Sequence, residues 1–347
     1  MIGSWYADRL YGLPPDLILL NEWIAIPDKL WEGGAQVVNL ELKRINEGVA
    51  TVSPSGRLKE PELEPGPEFD ITAGGLSLKP SRASGQFDRR TQTVLHDSLG
   101  NIAPALATAS RRVANYHPGL SVICSEYERL VRQPLDEIDV VALWTVGAGL
   151  LANRDAFARA YDHQSMTEPL EPAHFALLQQ AAEVHGGFIL GFEQARELAE
   201  RADRARISGE AMERVVSLAR EIIELLLRSG RQVDAQTRQF LAAVEEGLIE
   251  PGWRITRAGY AAYVVTRNAL IAIGRLLNWA NSAFATVAGG IVLTQIDPGL
   301  VHTQFWIEFA LKNSQQILAF AEPFPELKIW LAAQIEAAEK DREDSGS

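Results

Sequence analysis

One cysteine in 347 residues leaves no partner for an internal disulfide and excludes every metal site built on several thiolates. Cys124, between Ile123 and Ser125, reads as a small buried hydrophobe rather than a nucleophile. Basic residues are also short: 33 Lys and Arg face 45 Asp and Glu, a net charge of −12 that repels nucleic-acid phosphates and argues against a nucleic-acid partner. Residues 1–8 lack a basic region followed by a continuous apolar stretch, so no secretory leader is read there. Together with the single thiol, this places the expected location in the cytoplasm.

Catalytic and cofactor signatures are missing as well. The glycine pairs at 33–34, 74–75, 186–187 and 289–290 lack the flanking lysine or strand of a phosphate-cradling loop, and no serine-centred nucleophile elbow occurs. His96, His117, His163 and His302 supply no i, i+4 histidine pair with a carboxylate base. His174 and His185 share a helical face, but three turns separate them by about 16 Å, too far for one metal. His96-Asp97 and Asp162-His163 are adjacent pairs whose side chains diverge in a helix. No metal, cofactor or catalytic residue is assigned, and the balance is against an enzyme.

What is present is helix. With 47% hydrophobic and 22% charged residues the chain can bury a large core. The fold class is mainly α: a multi-helix bundle with a small β-containing N-terminal segment. Three regions are expected: 1–86, holding a β-hairpin and a Pro-rich loop; 87–340, the bundle; and 341–347, a polar tail. Strand periodicity occurs at Val38–Lys43 and Val49–Val52 around a turn at Gly48, and again within Phe69–Leu78. Pro54–Pro67 reads as an exposed extended loop.

The clearest helix spans Gly209–Arg228, with Met212, Val215, Val216, Ala219, Ile222, Ile223 and Leu226 on one stripe. Asp234 caps a second helix that ends near Gly247. Earlier helices are expected at Thr91–Ala114 with a kink at Pro104, at Leu120–Arg132 and at Leu135–Ala152. A long helix is expected over Pro172–Arg206, its second half charged with both signs as on a projecting arm. Val301–Glu322 and a final helix from Glu326 complete the set.

Two features carry the functional expectation. Gly187, Gly191, Ala195 and Ala199 recur every four residues, a small-residue face where another backbone can approach; it suits a dimer seam or close packing inside the chain's own bundle. Gly147 and Gly149 suit the same use. The second is the uncharged 21-residue run Leu276–Ile296 inside a helical pattern from Gly259. Its length approaches a membrane span, yet Asn278, Asn281 and Gln295 lower its hydropathy, so a central bundle helix is favoured. Asn268, Arg275, Asn278, Ser282 and Thr286 form a polar stripe along it. Arg82, Arg89, Arg90, Arg111 and Arg112 offer a small basic patch for an acidic surface, such as the chain's own Glu60–Glu68.

The leading expectation is a non-catalytic helical interaction or scaffolding protein that self-associates, with Gly187, Gly191, Ala195, Arg275, Asn278 and Ser282 as interaction residues. Its partner is a protein or a second copy. The alternative is a conditionally membrane-active effector inserting 259–296; the third is an enzyme with a site along Arg275, Asn278 and Ser282.

Overall fold

The computed structural model describes residues 58–81, 88–162, 170–205, 210–248, 257–287 and 300–345. The strand pair expected at Val38–Val52, the Gly209 start of the clearest expected helix and residues 288–299 lie outside them. The chain divides into two compact units: Met1–Glu62 with Phe324–Ala333, and Leu63–Pro323 with Gln334–Ser347. The described part of the first holds the Lys59–Glu62 ion pair and the start of the last helix. The second holds everything that follows.

It is mainly helical with one two-stranded antiparallel sheet, β1 (Glu68–Thr72) and β2 (Gly75–Lys79), paired Phe69 to Leu78 and Ile71 to Leu76. Phe69 and Leu76 are buried, so one face of the ribbon joins the core. Gly75, at φ +99, sits so close to the Gln232 backbone that any Cβ would overlap its carbonyl. That approach shields the β2 edge: Asp234 N donates to Leu76 O at 3.1 Å and Leu78 N donates to Thr237 Oγ1 at 2.6 Å.

Among the described residues ten helices of this unit follow the ribbon: α1 (Arg89–Arg112), α2 (Pro118–Val131), α3 (Val140–Asp162), α4 (Pro172–Ile189), α5 (Glu193–Ala205), α6 (Glu210–Arg228), α7 (Ala235–Glu246), α8 (Arg257–Val287), α9 (Leu300–Lys312) and α10 (Ser314–Ala321). The last helix, α11 (Pro325–Ser345), begins in the first unit and runs through the expected polar tail as far as Ser345. Starts follow local chemistry. Asp88 accepts from Arg90 N and Thr91 N, and Asp234 accepts from Gln236 N and Thr237 N, each at the N-cap. Asp139 accepts from Ala142 N at 2.9 Å, which delays α3 beyond Leu135.

α8 is the organising element. Residues 258–274 are buried without interruption, so the helix is enclosed on all sides and packs against β1, α3, α5, α6 and α9. This enclosed stretch is the upstream part of the helical pattern expected from Gly259. Beyond Leu277 the helix surfaces at Asn278 and Trp279. Among the described residues no helix is long and apolar enough to cross a membrane.

Two expected long helices are broken. Pro172–Arg206 becomes α4 and α5, interrupted at Leu190–Phe192; Val301–Glu322 becomes α9 and α10, interrupted at Asn313, whose Nδ2 donates back to Phe309 O at 2.8 Å. α5 is not a free arm. Ala195, Leu198, Ala199 and Ala202 are buried against the unit, while Glu197–Arg201 and Glu200–Arg204 pair on the outer face.

Glycines set two close crossings. A Cβ on Gly149 would stand 3.0 Å from Gly247 Cα, and one on Gly247 2.8 Å from Gly149 Cα, so α3 meets the end of α7 backbone to backbone. At Gly147 a Cβ would overlap the His185 ring of α4.

Candidate functional site

The sequence-assigned residues fall into separate places. Gly187 is inside α4, Gly191 is in the turn after it, and Ala195 is in α5, so the four-residue spacing does not run along one helix. Gly191 abuts the buried Gln92 amide, and a Cβ on Gly187 would contact Leu95 Cδ1 at 3.8 Å. These residues pack against α1 of the same chain. Two of the early arginines are engaged: Arg89 pairs with Asp136 at 2.7 Å and Arg111 with Glu128 at 3.9 Å. The acidic segment instead reaches α5, where Glu64 pairs with Arg201 at 3.4 Å.

The polar stripe of α8 also separates into two ends. At the buried end Asn268 is fully enclosed and binds backbone: its Nδ2 donates to Glu64 O (2.9 Å) and Pro67 O (3.0 Å), and its Oδ1 accepts from Glu64 N (3.2 Å). It staples the extended Glu64–Pro67 segment to the core, and Gly66 lets that segment lie directly on Val264. At the other end Arg275 is half-buried and Asn278 is exposed; Ser282 lies within α8.

Three buried groups come together between α1, α2 and α4. Tyr127 Oη and His185 Nδ1 are 3.1 Å apart, and both are fully enclosed. Burial holds the His185 imidazole neutral, with its pKa lowered to about 4, and pushes the Cys124 thiol up to about 12 despite a hydrogen bond with Ser110. A thiol so raised is no nucleophile at neutral pH. His174 is buried in the same helix, and burial followed by the nearby His117 lowers its pKa.

An open cleft of about 250 Å³ lies where the first turn of α2, the middle of α3, α6 and the end of α7 meet. Its polar lining is His117, Asn153, Arg220, Glu245 and Glu246, and its apolar lining includes Phe157, Leu120 and Leu248. Pro118 starts α2 at N1, and Gly119 behind it leaves room for the Glu246 carboxylate, which occupies the space a Cβ would take. That places negative charge at the positive end of α2. The His117 ring stands edge-on to Phe157 at 5.1 Å, fixing one wall.

Asn153 is more than nine-tenths buried; its Nδ2 donates to Gly149 O at 3.0 Å, its only hydrogen bond among the described residues, so its Oδ1 remains an open acceptor. Arg220 makes no hydrogen bond or ion pair among the described residues, and its Nε is buried without an acceptor. Burial raises the Glu245 carboxyl pKa, the neighbouring Glu246 raises it further, and Arg220 opposes both. A cation and two carboxylates therefore line one space, Arg220 acting on Glu245 electrostatically without a direct hydrogen bond or ion pair.

Sequence reasoning singled out none of these five in this role. Their numbers span 117 to 246, across four elements. Two local signals were present: Arg220 adjoins the apolar stripe of α6 between Ala219 and Ile222, and Asn153 ends the apolar run of α3. No protein-family model matches the chain, and neither a curated protein nor a solved structure matches it.

Proposed function

We propose that the chain is a non-catalytic helical interaction protein that associates with further copies of itself through the exposed Asn278–Trp279 step of α8. The supporting observation is Trp279, half exposed (51%) beside the exposed Asn278, on a helix otherwise enclosed from 258 to 274. A large indole left in water is the side chain that contributes most when an interface covers it, because it combines apolar area with an N–H donor and loses little conformational freedom. The half-buried Arg275 one turn earlier adds a residue type enriched at such anchors.

Native mass measured across a range of concentrations, with and without detergent, tests this reading. The expected result is a concentration-dependent oligomer, insensitive to mild detergent, that shifts to monomer in Trp279→Asp with helical content unchanged. A wild-type chain that stays monomeric throughout, or a Trp279→Asp chain that associates as strongly, refutes it. Mass gained only with lipid or detergent favours the membrane-active alternative instead.

A further inference from the structure

We infer that the cleft between α2, α3, α6 and α7 binds a small zwitterion of the α-amino-acid type, its carboxylate on Arg220 and its ammonium on Glu245 and the Asn153 carbonyl. The inference concerns a different face from the α8 end and does not depend on self-association.

Each lining group has an unmet need that such a head group fills. The Arg220 guanidinium reaches the cleft with no ion-pair partner among the described residues, its Nε enclosed behind it, and a carboxylate is the acceptor that matches its terminal nitrogens. Glu245 and Glu246 are adjacent carboxylates, one of which faces the first turn of α2 and is partly offset by its dipole. Glu245 has no helix end beside it; Arg220 offsets its charge only in part against Glu246 and Glu224, which leaves the carboxylate able to take a cation. Asn153 supplies the second acceptor: one N–H of its amide is held by Gly149 O, which fixes the side chain, and its carbonyl oxygen, without a partner among the described residues, accepts from a donor such as ammonium. An anion alone would leave the glutamates unsatisfied, and an amine alone would leave Arg220 so.

Size and apolar lining narrow the class. At about 250 Å³ the cleft falls below the roughly 300–1,000 Å³ typical of sites for drug-sized ligands, which disfavours nucleotides and favours a molecule of amino-acid dimensions. Phe157, Leu120 and Leu248 offer hydrocarbon to a ligand's apolar side chain.

Titration calorimetry on the full chain with three probes tests the assignment: L-leucine, 4-methylpentanoate, which lacks the ammonium, and 3-methylbutylamine, which lacks the carboxylate. Leucine is expected to bind at least about tenfold more tightly than either analogue, a gap of about 1.4 kcal/mol. Arg220→Met is expected to weaken leucine and 4-methylpentanoate by about tenfold while leaving the amine unchanged, and Glu245→Gln to do the reverse. This crossed pattern is not produced by loss of folding, and the probe comparison on the unmodified chain stands even if a variant fails to fold. Absence of leucine binding up to about 10 mM, equal affinity for all three probes, or leucine binding untouched by Arg220→Met overturns the inference.

Discussion

Replacing Asn268 with alanine removes a side chain that is fully enclosed and whose hydrogen bonds all go to backbone of a segment about 200 positions earlier in the chain. Three hydrogen bonds disappear together. The Pro67 carbonyl lies in a buried contact, so losing its donor costs the larger share, about 1–3 kcal/mol. The Glu64 carbonyl and N–H are partly reached by water, and each then costs about 0.5–1 kcal/mol. The expected loss of stability is about 3 kcal/mol, measured as a shift of the urea unfolding midpoint for the second unit. Hydrogen exchange supplies a local reading: the Glu64 amide is expected to lose protection while amides in α1 keep theirs. Asn268→Asp keeps an acceptor for Glu64 N, but it removes both donations and buries a charge beside two carbonyls, so its effect is expected to exceed that of alanine. A loss below about 1 kcal/mol for Asn268→Ala, with Glu64 exchange unchanged, would refute the staple.

Two further predictions concern His185. Gly147→Ala is expected to destabilise by about 1–3 kcal/mol because the added methyl overlaps the imidazole, and adding His185→Ala should recover at least about 1 kcal/mol of that in a double-mutant cycle; additive effects would show that the two do not meet. Above pH 6.5 the imidazole is neutral folded or unfolded. As pH falls from there to about 4, the unfolded chain takes up a proton that the folded chain refuses, so the wild type is expected to lose about 3 kcal/mol more than His185→Gln between pH 7 and pH 4. Urea midpoints that run parallel with pH would contradict this.

Helices with their own signals were legible: α6 in its apolar stripe, α7 in Asp234, and the ribbon in Phe69 to Leu78. The breaks at Leu190–Phe192 and Asn313 were not, because neither contains proline, and the periodicity continues on both sides. There the chain turns to meet packing partners that sequence spacing does not encode, such as Gln92 beside Gly191. Asn268 stood on the predicted stripe, but its backbone partners around Glu64 could not be inferred from its helix. The cleft was illegible for the same reason. His117, Asn153, Arg220 and Glu245 acquire joint meaning only when four elements place them around one volume.

The contact between Gly149 and Gly247 lies one residue from Glu246 and one helical turn from Asn153. Two missing methyl groups therefore act as a gauge block between the walls that carry the acceptor amide and the glutamates. A side chain at either position would wedge them apart by about a methyl's thickness without changing any lining residue. The size of molecule the cleft admits is thus written into a backbone contact outside it. Changes of ligand preference can arise at residues 149 and 247, positions that inspection of the lining alone would pass over.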